Sequence, residues 1–147
     1  MDDMSPEQRH NNMTRIRSKN TKPETIVRHF LFSAGFRYRK NDARYPGKPD
    51  IVLPKYHTVI FVHGCFWHQH ANCKYSVLPK TNQEYWIPKL EKNTTRDSNT
   101  VDLLKVAGWR VIVVWECAIK AKNRQDYLAQ LLEAITHSSE SFIEIAP

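Results

Sequence analysis

The chain has 147 residues, enough for one domain with its own core. At 41% hydrophobic and 25% charged residues it reads as globular rather than disordered, and no apolar run approaches the ~20 residues that cross a bilayer. A net charge of +7 favours anionic partners, nucleic acid being the commonest, although a merely soluble basic protein has the same balance. Met1 to His10 is polar and is expected to carry no secretory signal, so a cytoplasmic protein is expected. Three cysteines are an odd number, and in a reducing compartment they favour metal binding or burial over disulfides.

Ser5-Pro6-Glu7-Gln8 is a helix start, with Ser as the cap and Pro at the first helical position. That helix, running to about Arg17, has only Met13 and Ile16 as apolar residues among several cations. It reads either as a frayed terminus or as a basic arm over residues 1–20 that orders on DNA. Thr21-Lys22-Pro23-Glu24 starts a second helix; Ile26, Val27, Phe30, Leu31 and Ala34 follow with helical spacing and Gly35 ends it. Phe36 to Lys40 alternates like an exposed strand, and Tyr45 to Pro49 is a turn. Asp50 to Leu53 and Thr58 to His63 are strands joined tightly enough to form a hairpin. A polar loop covers Lys74 to Gln83. Glu84 to Ile87 is a separate turn or the start of a kinked helix, because Pro88 fits poorly inside one. Pro88 to Ala107 is helical, Trp109 to Trp115 a buried strand, and Arg124 to Ile135 an amphipathic helix. The tail, 137–147, is expected to be loosely held. One sheet flanked by helices packs this order most economically.

The densest segment is His63-Gly-Cys-Phe-Trp-His-Gln-His-Ala-Asn-Cys73, with three of the seven histidines and two of the three cysteines. Cys65, His70 and Cys73 are close enough in sequence to wrap one tetrahedral ion, and Cys117 is the remaining cysteine. The alternative is three inert buried thiols. Asp50 opens one hairpin strand, while Phe61 and His63 share a face of the other. An acid facing a histidine there suits a hard cation and a phosphate; equally, Asp50 is a turn residue after Pro-Gly-Lys-Pro. Leu90, Asn93, Asp97, Val101 and Leu104 share one helix face, which turns Asp97 inward, where a carboxylate needs a partner. A histidine of the dense segment would supply it and gain basicity; a surface Lys is the plainer partner. Glu24 is fully explained by a capping box, a catalytic role being additional. Phe66 and Trp67, with Trp86, can stack on or wedge between bases, or serve as ordinary core aromatics.

Pro46-Gly-Lys-Pro-Asp50, Val59 to His68, Lys92-Asn93 with Arg96-Asp97, Gly108 to Val111 and Val114-Trp-Glu-Cys117 together resemble the very short patch repair (Vsr) endonucleases, from about Met13 to Ala118. The resemblance implies a restriction-endonuclease-like α/β fold, a mixed sheet flanked by helices with a structural zinc site. It implies a Mg²⁺-dependent enzyme that nicks one DNA strand 5′ of the thymine in a thymine–guanine mispair, the product of 5-methylcytosine deamination. Asp50 matches the carboxylate ligand of Mg²⁺. Val62, where the compared pattern has Thr, matches the position whose main-chain carbonyl is the other ligand. His68 matches the general base and Asp97 its orienting acid; His63 and Glu24 match residues near the metal's water shell and the scissile phosphate. Cys65, His70, Cys73 and Cys117 match zinc ligands. Phe66, Trp67 and Trp86 match the aromatic wedge, and Met13 and Ile16 match residues approaching from the other groove. Two residues separate His70 from Cys73 where the compared pattern has one. The restriction-type acid-x-Lys is replaced by Phe61-Val62-His63, so the base must come from His68. The same resemblance implies a companion cytosine methyltransferase. A functional link to general mismatch-repair proteins fits that role, as do a monomer, no membrane partner and a cytoplasmic place at the nucleoid. A zinc-stabilised DNA-binding module without catalysis would leave Asp50, His63, His68 and Asp97 unused.

Overall fold

The structure, a computed structural model, describes residues 21–147. The expected N-terminal helix, with Met13 and Ile16, lies outside the described residues. Helix α1 (Lys22–Ser33) is capped by Thr21, whose Oγ1 accepts from the Glu24 N–H at 3.4 Å. Strands β1 (Arg39–Lys40), β2 (Ile51–Leu53) and β3 (Thr58–His63) follow, then the long helix α2 (Gln83–Val106). Strand β4 (Arg110–Trp115) runs directly into a short α3 (Glu116–Lys120), and α4 (Arg124–His137) leads to β5 (Phe142–Ile145).

The five strands lie in sequence order in one mixed sheet. β1, β2 and β3 are antiparallel, with Ile51 opposite Ile60 and Leu53 opposite Thr58. β3, β4 and β5 are parallel, with His63 opposite Trp115. The central strands read as continuous apolar runs because both faces are covered. Ile60, Val62, Ile112 and Val114 point to the layer of α1, α3 and α4, where Val27, Leu31, Leu128 and Leu131 meet them. Val59, Phe61, Val111, Val113 and Trp115 point to the opposite face, where Leu104 of α2 closes over them. The period of two thus sends Phe61 and His63 to the α2 side, the side Asp97 faces.

Two expectations change and one open alternative is decided. The expected strand Phe36–Lys40 shrinks to two residues, because Phe36 leaves the alternation to bury itself against Tyr56, with ring centroids 5.2 Å apart. Asn41 then turns the chain with a left-handed φ of 51°. Of the two readings of Glu84 to Ile87 the helical one holds: α2 begins at Gln83 and carries Pro88 inside, near its N-terminal end. The tail expected to be loose supplies β5 instead. Its main chain pairs with β4, and Ile145, 3% exposed, enters the α1/α4 core. The segment is only four residues long, so its pattern is faint until β4 offers it an edge.

Candidate active site and metal centre

β3 and β4 are parallel, so their carboxyl ends lie together, and residues just beyond them converge. Two clusters result, one from the loop after β3 with α3, the other from β3, that loop and α2.

In the first, the donor atoms of Cys65, His70, Cys73 and Cys117 all lie within 4.8 Å of one another. His70 Nδ1 is 3.7 Å from Cys65 Sγ and 3.4 Å from Cys117 Sγ. Zinc–ligand bonds of about 2.0–2.3 Å give tetrahedral edges of about 3.3–3.8 Å, so the donor set fits a Zn²⁺-sized ion. Gln69 turns away, its amide donating to the Phe66 carbonyl at 2.6 Å, which leaves His70 as the imidazole donor. The two residues before Cys73 are accommodated by Asn72 in a left-handed turn, a conformation Asn tolerates. Ser76 Oγ lies within hydrogen-bond reach of the carbonyls of His70 and Cys73, at 2.7 and 2.8 Å. Burial pushes the Cys65 and Cys117 thiols up. A bound cation reverses that preference by favouring thiolates.

The second cluster is His63, His68 and Asp97. His68 Nδ1 is 2.6 Å from Asp97 Oδ2, with both side chains about a quarter exposed, at 24% and 23%. The His63 and His68 rings stack at 3.8 Å, 5° from parallel. Burial first, and the charge of His68 second, pushes His63 down to about 3, so it stays neutral at ordinary pH. Asn93, one helical turn before Asp97, donates to the Trp67 carbonyl at 3.2 Å and ties the loop to α2. Arg96 turns away to Asn93 rather than pairing with Asp97.

Asp50 lies just before β2 and accepts the Val62 N–H at 2.7 Å. Burial and the adjoining Glu24 carboxylate push it up to about 7. Glu24 is itself buried and its carboxylate pairs with Arg28 at 3.1 Å, a role beyond the helix cap expected of it. Glu24, Asp50, Val62, His63, His68 and Asp97 line one cleft of about 360 Å³, together with Lys48 and Arg96. The packing behind it is tight: a Cβ at Gly47 would collide with the Thr100 side chain. Carboxylates and a main-chain carbonyl are the oxygen donors a hard divalent cation takes.

Phe66, Trp67 and Trp86 form a half-exposed aromatic cluster with ring centroids 5.3–5.8 Å apart. Two residues escaped the sequence reading. Arg28 was signalled only by its spacing of four from Glu24. Trp115, hidden in an apolar run, stacks on His70 at 4.1 Å and meets His63 edge-on at 5.3 Å, so one indole separates the two clusters.

A sequence model described as DNA mismatch endonuclease Vsr matches residues 1–74. The type II nicking enzyme V.NmeAIP of Neisseria meningitidis serogroup A is 56% identical over 110 residues, 75% of this chain and 78% of that one. The type II nicking enzyme V.XorIIP of Xanthomonas oryzae pv. oryzae is 49% identical over 118 residues, 80% of this chain and 86% of that one. DNA mismatch endonuclease Vsr of Escherichia coli is 38% identical over 135 residues, 92% of this chain and 83% of that one. With a mixed sheet of the restriction-endonuclease kind and a Cys/His cluster able to hold a metal ion beside a histidine–carboxylate cleft, the chain belongs to the Vsr family of DNA mismatch endonucleases.

Proposed function

We propose that this endonuclease nicks one strand of duplex DNA on the 5′ side of a thymine mispaired with guanine, with Mg²⁺ as its cofactor, and so starts repair of deaminated 5-methylcytosine. The observation that carries this reading is the 2.6 Å His68–Asp97 pair in the same cleft as Asp50 and His63.

Asp97 engages Nδ1, which leaves Nε2 of His68 as the basic nitrogen. That nitrogen takes the proton from the attacking water, and Asp97 stabilises the imidazolium that forms. Asp50 and the Val62 carbonyl would hold Mg²⁺, with Glu24 beside them. When bound, Mg²⁺ supplies charge neutralisation for the phosphate in the transition state and for the leaving oxygen. His63, buried and neutral, can donate a hydrogen bond to a phosphate oxygen without adding charge next to His68.

Cys65, His70, Cys73 and Cys117 would fill all four positions of a zinc ion, leaving none for water, so that ion is read as structural. Its job would be to hold the loop that displays Phe66 and Trp67. These rings, with Trp86, would wedge into the duplex beside the mispair, where unstacking costs least because pairing is already poor. Met13 and Ile16 are proposed to approach from the other groove. A monomer acting at the nucleoid, alongside a cytosine methyltransferase, completes the reading.

The test is His68→Ala on a thymine–guanine duplex. Removing a general base costs about 10²–10⁴-fold in rate. Nicking is expected to fall by that factor while binding to the same duplex is retained. Unchanged turnover would remove His68 from the chemistry.

A further inference from the structure

Behind the carboxylates of the cleft lies a buried cation. Arg28 is 6% exposed on a helix face it shares with Val27 and Leu31, both fully buried. Arginines are almost never buried unless paired, and a position that only packed α1 on the sheet would be apolar. One terminal nitrogen, Nη2, reaches three different segments. It lies 3.1 Å from Glu24 Oε2 in α1, 3.3 Å from Asn41 Oδ1 after β1, and 3.3 Å from the Asp50 main-chain oxygen at the entry to β2. The Asn41 N–H donates to that same Asp50 oxygen at 3.1 Å. Two donors therefore fix the peptide whose side chain lines the cleft, and the guanidinium that supplies one of them also anchors Glu24.

We propose that Arg28 is a positioning residue for the divalent cation: it sets Glu24 and Asp50 in the spacing that lets both face one ion. This rests on the reading that Asp50 holds the catalytic Mg²⁺. A positive charge so near a cation site opposes metal binding through space. Its place there is explained by geometry, since its Nη2 holds acceptors from three separate segments together at one point.

The two roles predict opposite signs. Zinc-loaded wild type, Arg28→Met, Arg28→Lys and Asn41→Gly would be compared for Mg²⁺ dependence of nicking, for KM toward the mismatched duplex, and for Mn²⁺ binding by calorimetry without DNA. Loss of a group that orients metal ligands weakens metal affinity by about 10–100-fold. Arg28→Met is expected to raise the half-maximal Mg²⁺ concentration and weaken Mn²⁺ binding by such a factor, with KM for DNA unchanged. Arg28→Lys is expected to recover part of the loss. Tighter Mn²⁺ binding in Arg28→Met would reduce Arg28 to a repelling charge, and an unchanged metal dependence would reduce it to packing; either overturns the proposal. Should Arg28→Met fail to fold, Asn41→Gly removes one tether with a residue that takes the left-handed φ freely. It is expected to shift both metal readouts in the same direction by a smaller factor, and no shift overturns the proposal. A wild type that neither nicks nor binds Mn²⁺ beyond its zinc overturns the underlying reading and the proposal with it. An active, Mn²⁺-binding wild type with indifferent variants overturns only the proposal.

Discussion

Asp50 is pushed up to about 7, by burial first and by the Glu24 carboxylate second, against the Val62 N–H and Arg28, which pull it down. A carboxylate raised in this way keeps its proton in the folded protein between about pH 4 and pH 7, where the unfolded chain has lost it. The stability it gives at low pH is therefore lost as pH rises through 7. Without Mg²⁺, Asp50→Asn is expected to melt above wild type at pH 8, to lose that advantage near pH 4, and to be inactive throughout. Thermal melts at the two pH values check this; a variant that melts lower at pH 8 would mean that the buried charge is already compensated. His63 carries the opposite sign, costing stability as pH falls from 6.5 toward 3, but it does so in both proteins and cancels in the difference. On the surface, base–aromatic stacking contributes about 1–3 kcal/mol per base. Trp67→Ala is accordingly expected to weaken binding to mispaired duplex by about tenfold with little change on matched duplex, as measured by anisotropy; an equal loss on both would make Trp67 a general contact. Asp97 was legible because helical spacing placed it on the face of Leu90 and Leu104. Arg28 was not, because the Thr21 cap already accounts for a Glu at position 24 and hides its i+4 pairing.

The elements that escaped the sequence reading are those whose signal is supplied by a neighbour. β5 has four residues, and the parallel pairing of Val111 with Phe142 and Val114 with Ile145 makes it a strand. Ile145→Ala should then cost about 2–5 kcal/mol, the range for truncating a buried aliphatic side chain. Urea denaturation measures it, and a loss below about 0.5 kcal/mol, typical of surface sites, would return residues 142–145 to a loose tail. β3 and β4, in contrast, were plain in the sequence, since strands covered on both faces read as unbroken apolar runs. The loop from 64 to 77 has little secondary structure and two left-handed residues, Gln69 and Asn72. Under the proposed function a bound zinc ion orders it. Cys73→Ser is expected to lower zinc content and to raise hydrogen exchange across 64–77 while β3 and β4 stay protected. Unchanged exchange in a zinc-free variant would show that packing alone holds the loop.

Across the whole molecule, the sheet does one thing for both clusters: it brings the carboxyl ends of two parallel strands to one place. His63 and Trp115 are register partners there, and Trp115 stands between the imidazole of the Cys/His cluster and the stacked histidines of the cleft. The positive balance of +7 fits a polyanionic substrate, and Phe66 and Trp67 of the aromatic cluster sit on the same loop as His68. Charge, the proposed wedge and the proposed base are thus all compatible with one duplex lying across the carboxyl ends of the strands. The family was readable from local motifs, because each is a run of adjacent residues. The joining of Glu24, Asp50, His68 and Asp97 in one cleft was only partly so, since it depends on α1 and α2 meeting the sheet from different directions. The most direct measurement is strand-resolved product mapping on a duplex with one thymine–guanine mispair. A single nick is expected, in the thymine strand, on the 5′ side of that thymine, dependent on Mg²⁺ and absent from the matched duplex. Cleavage of the guanine strand, of both strands, or of matched duplex at the same rate would contradict the proposed function.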